Sequence, residues 1–155
     1  MSFNLSYHEL YAQIGISITK YKQSEEKSIE QLFFIIMSLN HLREWIAPEY
    51  KTEKWDKKTQ QMINIEPKNE EEAFSKKIYE YDDFGIVRKI CNGIKHLRPI
   101  TTNIVHNENF DTWKNIDNIL NIDKGPIVKI LIDNRDIEEI INNVYSFYSK
   151  EWFKK

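Results

Sequence analysis

Arg88, Asn92 and His96 are spaced four and four apart in the chain, and their types and spacing point to chemistry. On a helix turning about 100° per residue, each step of four drifts by only about 40°, so the three side chains form one ridge. Val87, Cys91 and Ile94 lie just to one side of it. The ridge therefore starts at the border of a buried face, where packing can orient a group that still reaches a ligand. His96 has the right acidity to move protons near neutral pH. Arg88 has the planar fork that holds a phosphate, and Asn92 can orient either. These three are the candidate catalytic residues, and Lys95 adds a second cation as a substrate contact. The solvated flank of an amphipathic helix presents the same pattern. Arg88 and His96 could also bond to the acidic segment that precedes them.

A second place is Asn40-His41, on an otherwise apolar stretch. There a histidine ring is expected to be at least partly buried and satisfied within the core. Alternatively, Asn40 and His41 face His96 across a helix pair and join it as substrate contacts. His8 and His106 read as surface residues. Trp45, Trp55, Trp113 and Trp152 read as core and interface anchors, with Trp55, in a polar segment, free to meet a partner. Other chemistries find no support. The four glycines are scattered, so there is no phosphate-cradling loop. One cysteine and four well-separated histidines do not make a metal site, and no G-x-S-x-G elbow occurs. No metal and no cofactor is expected. The acidic clusters Glu70-Glu71-Glu72 and Asp82-Asp83 fall at predicted helix starts, where capping and the helix dipole account for them.

Composition bounds the rest. The chain has 155 residues, enough for one domain that buries a core without a disulfide or metal staple. Apolar residues make up 41% and aromatics 13%, which argues against global disorder. Cys91 is the one cysteine, inside an apolar run, and reads as a buried inert thiol suited to a reducing compartment. The N-terminal residues carry no secretory pattern. The longest apolar run, Leu32 to Met37, is far short of the roughly 20 residues a membrane span needs. A cytoplasmic protein without membrane contact is expected. The net charge of −2 excludes a broad basic face for duplex DNA, so any nucleic-acid site must be a local patch.

The elements that position these residues follow from periodicity. Leu10, Ile14, Ile18 and Tyr21 mark a first helix over 5–22. A second begins after Ser24, with Glu25 to Lys27 in its first turn, and runs to about Ala47 before Pro48. Its middle is apolar nearly all round, as in the central helix of a bundle. Residues 48–69 are polar and read as a long connection. Helices follow over 70–81 and 84–98, the latter capped by Asp82 or Asp83, with Val87, Ile90, Cys91, Ile94 and Leu97 facing the core. The β-branched runs 100–105 and 126–133 predict an antiparallel ribbon, with Phe110 to Asp123 between its strands. A last helix starts near Asp133 or Asn134 and buries Ile137, Ile140, Ile141, Val144, Tyr148 and Trp152. The fold class is mainly α, a bundle of four to five helices with a small β-ribbon inserted before the C-terminal helix.

Asn92-Gly93-Ile94-Lys95-His96, on a late helix of such a bundle, resembles the latter part of the motif of the HEPN superfamily. The resemblance covers about the helical two-thirds of the chain. Cys91 stands where the strict motif has arginine, and Arg88 is the nearest arginine upstream. The resemblance implies a metal-independent ribonuclease site built from arginine, a polar residue and histidine. It also implies a homodimer whose protomers face each other across that site, and RNA as substrate in a defence or toxin–antitoxin setting. The broken motif and near-neutral charge keep two other classes open. One is a non-enzymatic protein-interaction module, such as an accessory subunit, an antitoxin-like partner or a phage inhibitor. The other is a small-molecule binder with a pocket between the second and fourth helices.

Overall fold

In a computed structural model, residues 5–95, 102–106 and 126–154 are described, and the side chains at 94 and 95 fall outside that description. Five α-helices form a bundle: α1 (Tyr7–Gln23), α2 (Ile29–Ile46), α3 (Glu70–Tyr79), α4 (Asp82–Lys95) and α5 (Ile137–Tyr148). A hairpin of β1 (Glu53–Asp56) and β2 (Gln61–Asn64) separates α2 from α3. Strands β3 (Thr102–His106), β4 (Ile127–Ile132) and β5 (Arg135–Asp136) form an antiparallel sheet before α5, in the order β3-β4-β5. The fold is mainly α with a small β-ribbon ahead of the C-terminal helix, as its apolar periodicity predicts.

Each helix start has a local cause. Ser6 and Glu9 form a reciprocal capping box at α1, which satisfies amides the first turn cannot pair internally. The Asn69 side chain accepts from the Glu72 amide at 2.8 Å and caps α3. Ser28 caps α2 by accepting from the Gln31 amide at 3.1 Å. This helix thus begins later than the Glu25–Lys27 start expected from charge. Lys27 instead donates its amide to the Ile127 carbonyl at 2.7 Å, tying the α1–α2 connection to β4. Asp133 and Asn134 do not cap α5. Both have positive φ, 50° and 63°, and make the two-residue turn between β4 and β5. Asn and Asp tolerate this left-handed conformation best among non-glycine residues. The cap of α5 is Asp136, whose carboxylate accepts from the Glu138 amide at 2.9 Å.

The core runs along α2, which packs against α1, α3, α4 and α5. Ile35, Ile36, Leu39 and Leu42 are fully buried there. The expected stripes of α1 (Leu10, Ile14, Ile18, Tyr21) and α5 (Ile137, Ile140, Ile141, Val144, Tyr148) close over it. Burying each such aliphatic side chain contributes about 1.5–3 kcal/mol. Gly15 lets α1 approach α5, because a Cβ there would collide with the Tyr145 hydroxyl. Cys91 is buried, its thiol donating weakly to the Ile36 carbonyl at 3.7 Å. Burial pushes that thiol up to about 11, so it stays protonated and unreactive at neutral pH.

The segment 48–69, expected as a bare connection, holds the β1–β2 hairpin. Its loop is set by Asp56, which accepts from the Lys58 amide at 3.0 Å and the Thr59 hydroxyl at 2.8 Å. Gln60 supplies the positive φ that returns the chain. Tyr50 anchors the base by donating to the Ile65 carbonyl at 2.8 Å. No helix among the described residues is long and apolar enough to cross a membrane.

Candidate functional site

Of the predicted ridge on α4, Arg88 and Asn92 are described. Arg88 lays its guanidinium over the Tyr79 ring with Cζ 3.5 Å from the ring centroid. Asn92 is exposed. His96 and the Lys95 side chain lie outside the described residues. On α2, His41 is not the core histidine expected. Its side chain is 48% exposed, and Nδ1 pairs with Glu44 Oε2 at 2.8 Å. The reason lies in the helix: His41 shares its face with Phe34 and Trp45, both also exposed. Asn40 beside it is half-buried. Of the expected anchors, Trp152 packs on Phe74 at 5.2 Å, whereas Trp45 and Trp55 are exposed. Trp113 falls outside the described residues.

What the fold brings to Arg88 is a residue that sequence reasoning passed over. Arg43, in the last turn of α2, also sits over Tyr79, its Cζ 4.8 Å from the ring centroid. Its Nε donates to the Ser75 carbonyl at 3.1 Å, which fixes the fork against α3. Burial pushes the Arg43 guanidinium below its usual range. Tyr148, Tyr79 and Glu44 oppose that fall, and the Arg88 charge adds to it. Arginine keeps its charge in proteins all the same. Thus α2, α3 and α4 converge on one aromatic ring carrying two cations. A cation over a tyrosine face gains about 0.5–2 kcal/mol as it loses water, which offsets part of the mutual repulsion.

The cluster is under-satisfied. Among the described residues, neither Arg43 nor Arg88 forms a salt bridge, although eight charge pairs are formed elsewhere. Among the described residues, two buried side-chain polar atoms lack a hydrogen-bond partner, Arg88 Nε and Ser75 Oγ, the latter on the residue whose carbonyl accepts from Arg43. Buried donors are ordinarily paired, so the unpaired Arg88 Nε is a local cost of placing this guanidinium over Tyr79.

Arg43 and Tyr79 also line an open cleft of about 500 Å³. Its far wall is the hairpin, through Glu53 and Met62. Trp55 stands directly opposite Met62 in the β1–β2 register, so the two share a hairpin face. They are 57% and 56% exposed, the largest values among the big apolar side chains. Lys51 and three carboxylates, Glu44, Glu49 and Glu53, complete the charge on the cleft. No group of three or more His, Cys, Asp or Glu among the described residues is placed to hold a metal.

The class defined by fold and site is a helical bundle with an Arg43–Tyr79–Arg88 cluster, of which Arg43 and Tyr79 also line a cleft walled by a hairpin. No protein-family model, curated protein or solved structure matches the chain.

Proposed function

We propose that the protein is an RNA-binding effector of HEPN-like build, acting on single-stranded RNA in a defence or toxin setting. The observation that carries this reading is the Arg43–Tyr79–Arg88 cluster, two guanidiniums on one ring with no salt bridge among the described residues. Guanidinium forks recognise phosphate by paired N–H donors. Exposed Trp55 offers a face on which a base can stack, and such stacking is tolerant of sequence. The cluster is also the local patch that a chain of net charge −2 needs in order to hold RNA. If the bound strand is cleaved, Arg88 steadies the phosphate and His96 serves as the proton-transfer group.

The test is fluorescence anisotropy of a labelled single-stranded RNA, followed by gel analysis of the same RNA. Binding is expected to weaken with added salt and to drop at least tenfold in Arg43→Gln and Arg88→Gln. Cleavage, where present, is expected to vanish in His96→Ala. Full-strength binding by the double arginine variant would remove the site from the reading.

A second reading, a protein-interaction module, rests on a different surface. Helix α2 leaves Phe33, Phe34 and Trp45 exposed, and side chains of that size are hot-spot material at interfaces. A homodimer across this face would appear as concentration-dependent mass in light scattering, abolished by Phe34→Asp.

A further inference from the structure

We infer that the outward face of α2 is a self-association surface, on which a second copy of this chain lays its own α2 antiparallel across a two-fold axis. The inference rests on the protein-interaction reading above, for which it names the partner, the register and the residues that pair.

Helix α2 is apolar on two sides. Leu32, Ile35, Ile36, Leu39, Leu42 and Ile46 are buried against the other helices. On the opposite side Phe33, Phe34 and Trp45 are 42%, 48% and 41% exposed, with half-buried Met37 among them. A helix that is apolar all round is ordinarily covered all round, and an exposed patch of large side chains marks a contact surface. The spacing says what form of cover fits. Glu30, Phe34, Met37, His41 and Glu44 follow one another at steps of four, three, four and three. That repeat keeps one seam of a helix against another helix. From Glu30 to Glu44 the seam runs about 21 Å along the axis.

The charge layout selects the occupant. In chain order the seam reads acid, two apolar residues, histidine and acid. An antiparallel copy offset so that Phe34 meets Met37 brings Glu30 opposite His41, and the two-fold axis repeats both pairs. His41 Nδ1 stays with Glu44 of its own chain at 2.8 Å. As an imidazolium the ring also donates from Nε2, here to Glu30 of the second copy. Other arrangements are worse. A parallel copy in register sets Glu30 on Glu30 and Glu44 on Glu44, and like charges across an interface repel. An antiparallel copy shifted by a heptad either way sets Phe34 on a glutamate. Helix α2 contains no lysine, and its one arginine, Arg43, turns to Ser75 and Tyr79. His41 is therefore the one basic group that α2 sets in this seam to meet its acids.

The experiment uses the full chain in sedimentation velocity at a series of micromolar concentrations, with thermal melting showing that each variant is folded. Wild type is expected to sediment as a dimer that dissociates on dilution. Phe34→Asp, Glu30→Lys and His41→Glu are each expected to weaken the dimer at least about tenfold. An equimolar mixture of the Glu30→Lys and His41→Glu proteins is expected to restore it. In that mixed pair the two new charges meet as opposites, and the untouched Glu30 and His41 meet as in wild type. A dimer lost in Phe34→Asp but not restored by mixing keeps the face as an interface and overturns the antiparallel register. A dimer indifferent to Phe34→Asp places the interface elsewhere and overturns both the inference and the interaction reading of this face. A wild type that stays monomeric, yet binds a lysine-rich amphipathic helical peptide through Phe34, overturns self-association and leaves the interaction reading standing. A monomer that binds no such peptide removes both.

Discussion

Asp83 and Arg88 both sit on α4, and the fold treats them in opposite ways. Asp83 is only 5% exposed, yet its carboxylate is fully provided for. Arg135 of β5 donates to one oxygen through a short salt bridge, and Asn143 of α5 donates to the other at 2.8 Å. Burial alone would raise the Asp83 pKa, but the hydrogen bonds from Arg135, Asn143 and Tyr81 outweigh it and hold it below its usual value. Arg88, by contrast, meets a second cation and an aromatic ring. A buried charge is costly unless paired. The Asp83 corner locks α4 to β5 and α5. The Arg43–Arg88 cluster instead leaves two guanidiniums over one ring with no salt bridge among the described residues.

The contrast can be broken most forcefully at its structural end. Asp83→Ala leaves Arg135 and Asn143 without their acceptor. Removing one member of a buried pair costs about 3–5 kcal/mol. Because the Arg135 side chain is 39% exposed, solvent screening reduces this to about 2–3 kcal/mol. Urea denaturation of wild type and variant measures it. A loss below about 0.5 kcal/mol would mean that the corner is not structural.

Acid titration sharpens the same point. The folded Asp83 pKa lies below the unfolded value of about 3.9. Its contribution is therefore complete above that value and is lost as pH falls through the folded pKa. Wild-type stability is expected to decline on acidification below about pH 4. In Asp83→Asn that portion of the decline should disappear, as read from urea midpoints across the acid range. The arginine cluster contributes no such slope, because guanidinium groups do not titrate there.

At the other end of the contrast, Arg88→Gln removes a cation from beside a cation. Stability is expected to change by under about 1 kcal/mol, as a gain at low salt where the repulsion is least screened. Inorganic phosphate should raise the melting temperature of wild type by more than that of the variant, because the general salting-out stabilisation is common to both and only the bound anion adds to it. Differential scanning fluorimetry at two salt concentrations checks both statements. A loss of several kcal/mol would place Arg88 with Asp83 as a structural charge.

These two regions also show where a sequence is readable and where it is not. The stripes Leu10-Ile14-Ile18-Tyr21 and Ile137-Ile140-Ile141-Val144-Tyr148 follow the helical period, so their burial was legible. The β3–β4 pairing was legible too, from two β-branched runs. The β1–β2 hairpin was not. Its strands, EKWD and QMIN, do not alternate cleanly, and its turn depends on Asp56 and Gln60 rather than on an Asn-Gly pair. The apolar neighbours of His41 predict burial, but it is exposed because that side of α2 is left uncovered, with Phe34 and Trp45 exposed beside it. Arg88 was picked out by type, but its partners Arg43 and Tyr79 come from two other helices. No local spacing records such a meeting. A basic residue in the last turn of α2 is what the helix dipole alone would favour, so Arg43 carried no signal of its own. Asp83 looked like a helix cap for the same reason, and only tertiary contacts reveal Arg135 and Asn143.

The smallest expected effect decides whether the helix ridge or the three-helix cluster does the work. Asn92 is exposed on α4, four residues beyond Arg88, which covers the Tyr79 ring. Asn92→Ala is expected to change stability by no more than about 0.5 kcal/mol, as for other surface positions. If the cluster binds the phosphate, this variant should also keep wild-type affinity for RNA and for phosphate. On the proposed HEPN-like reading, Asn92 would have a second role, orienting the histidine of a cleavage site. Cleavage can therefore fall in Asn92→Ala while binding stays constant, and that split would assign anchoring to the Arg43–Arg88 pair and chemistry to the ridge. A parallel loss of binding would instead mean that Asn92 meets the ligand directly, moving the binding site from the ring of Tyr79 out along α4.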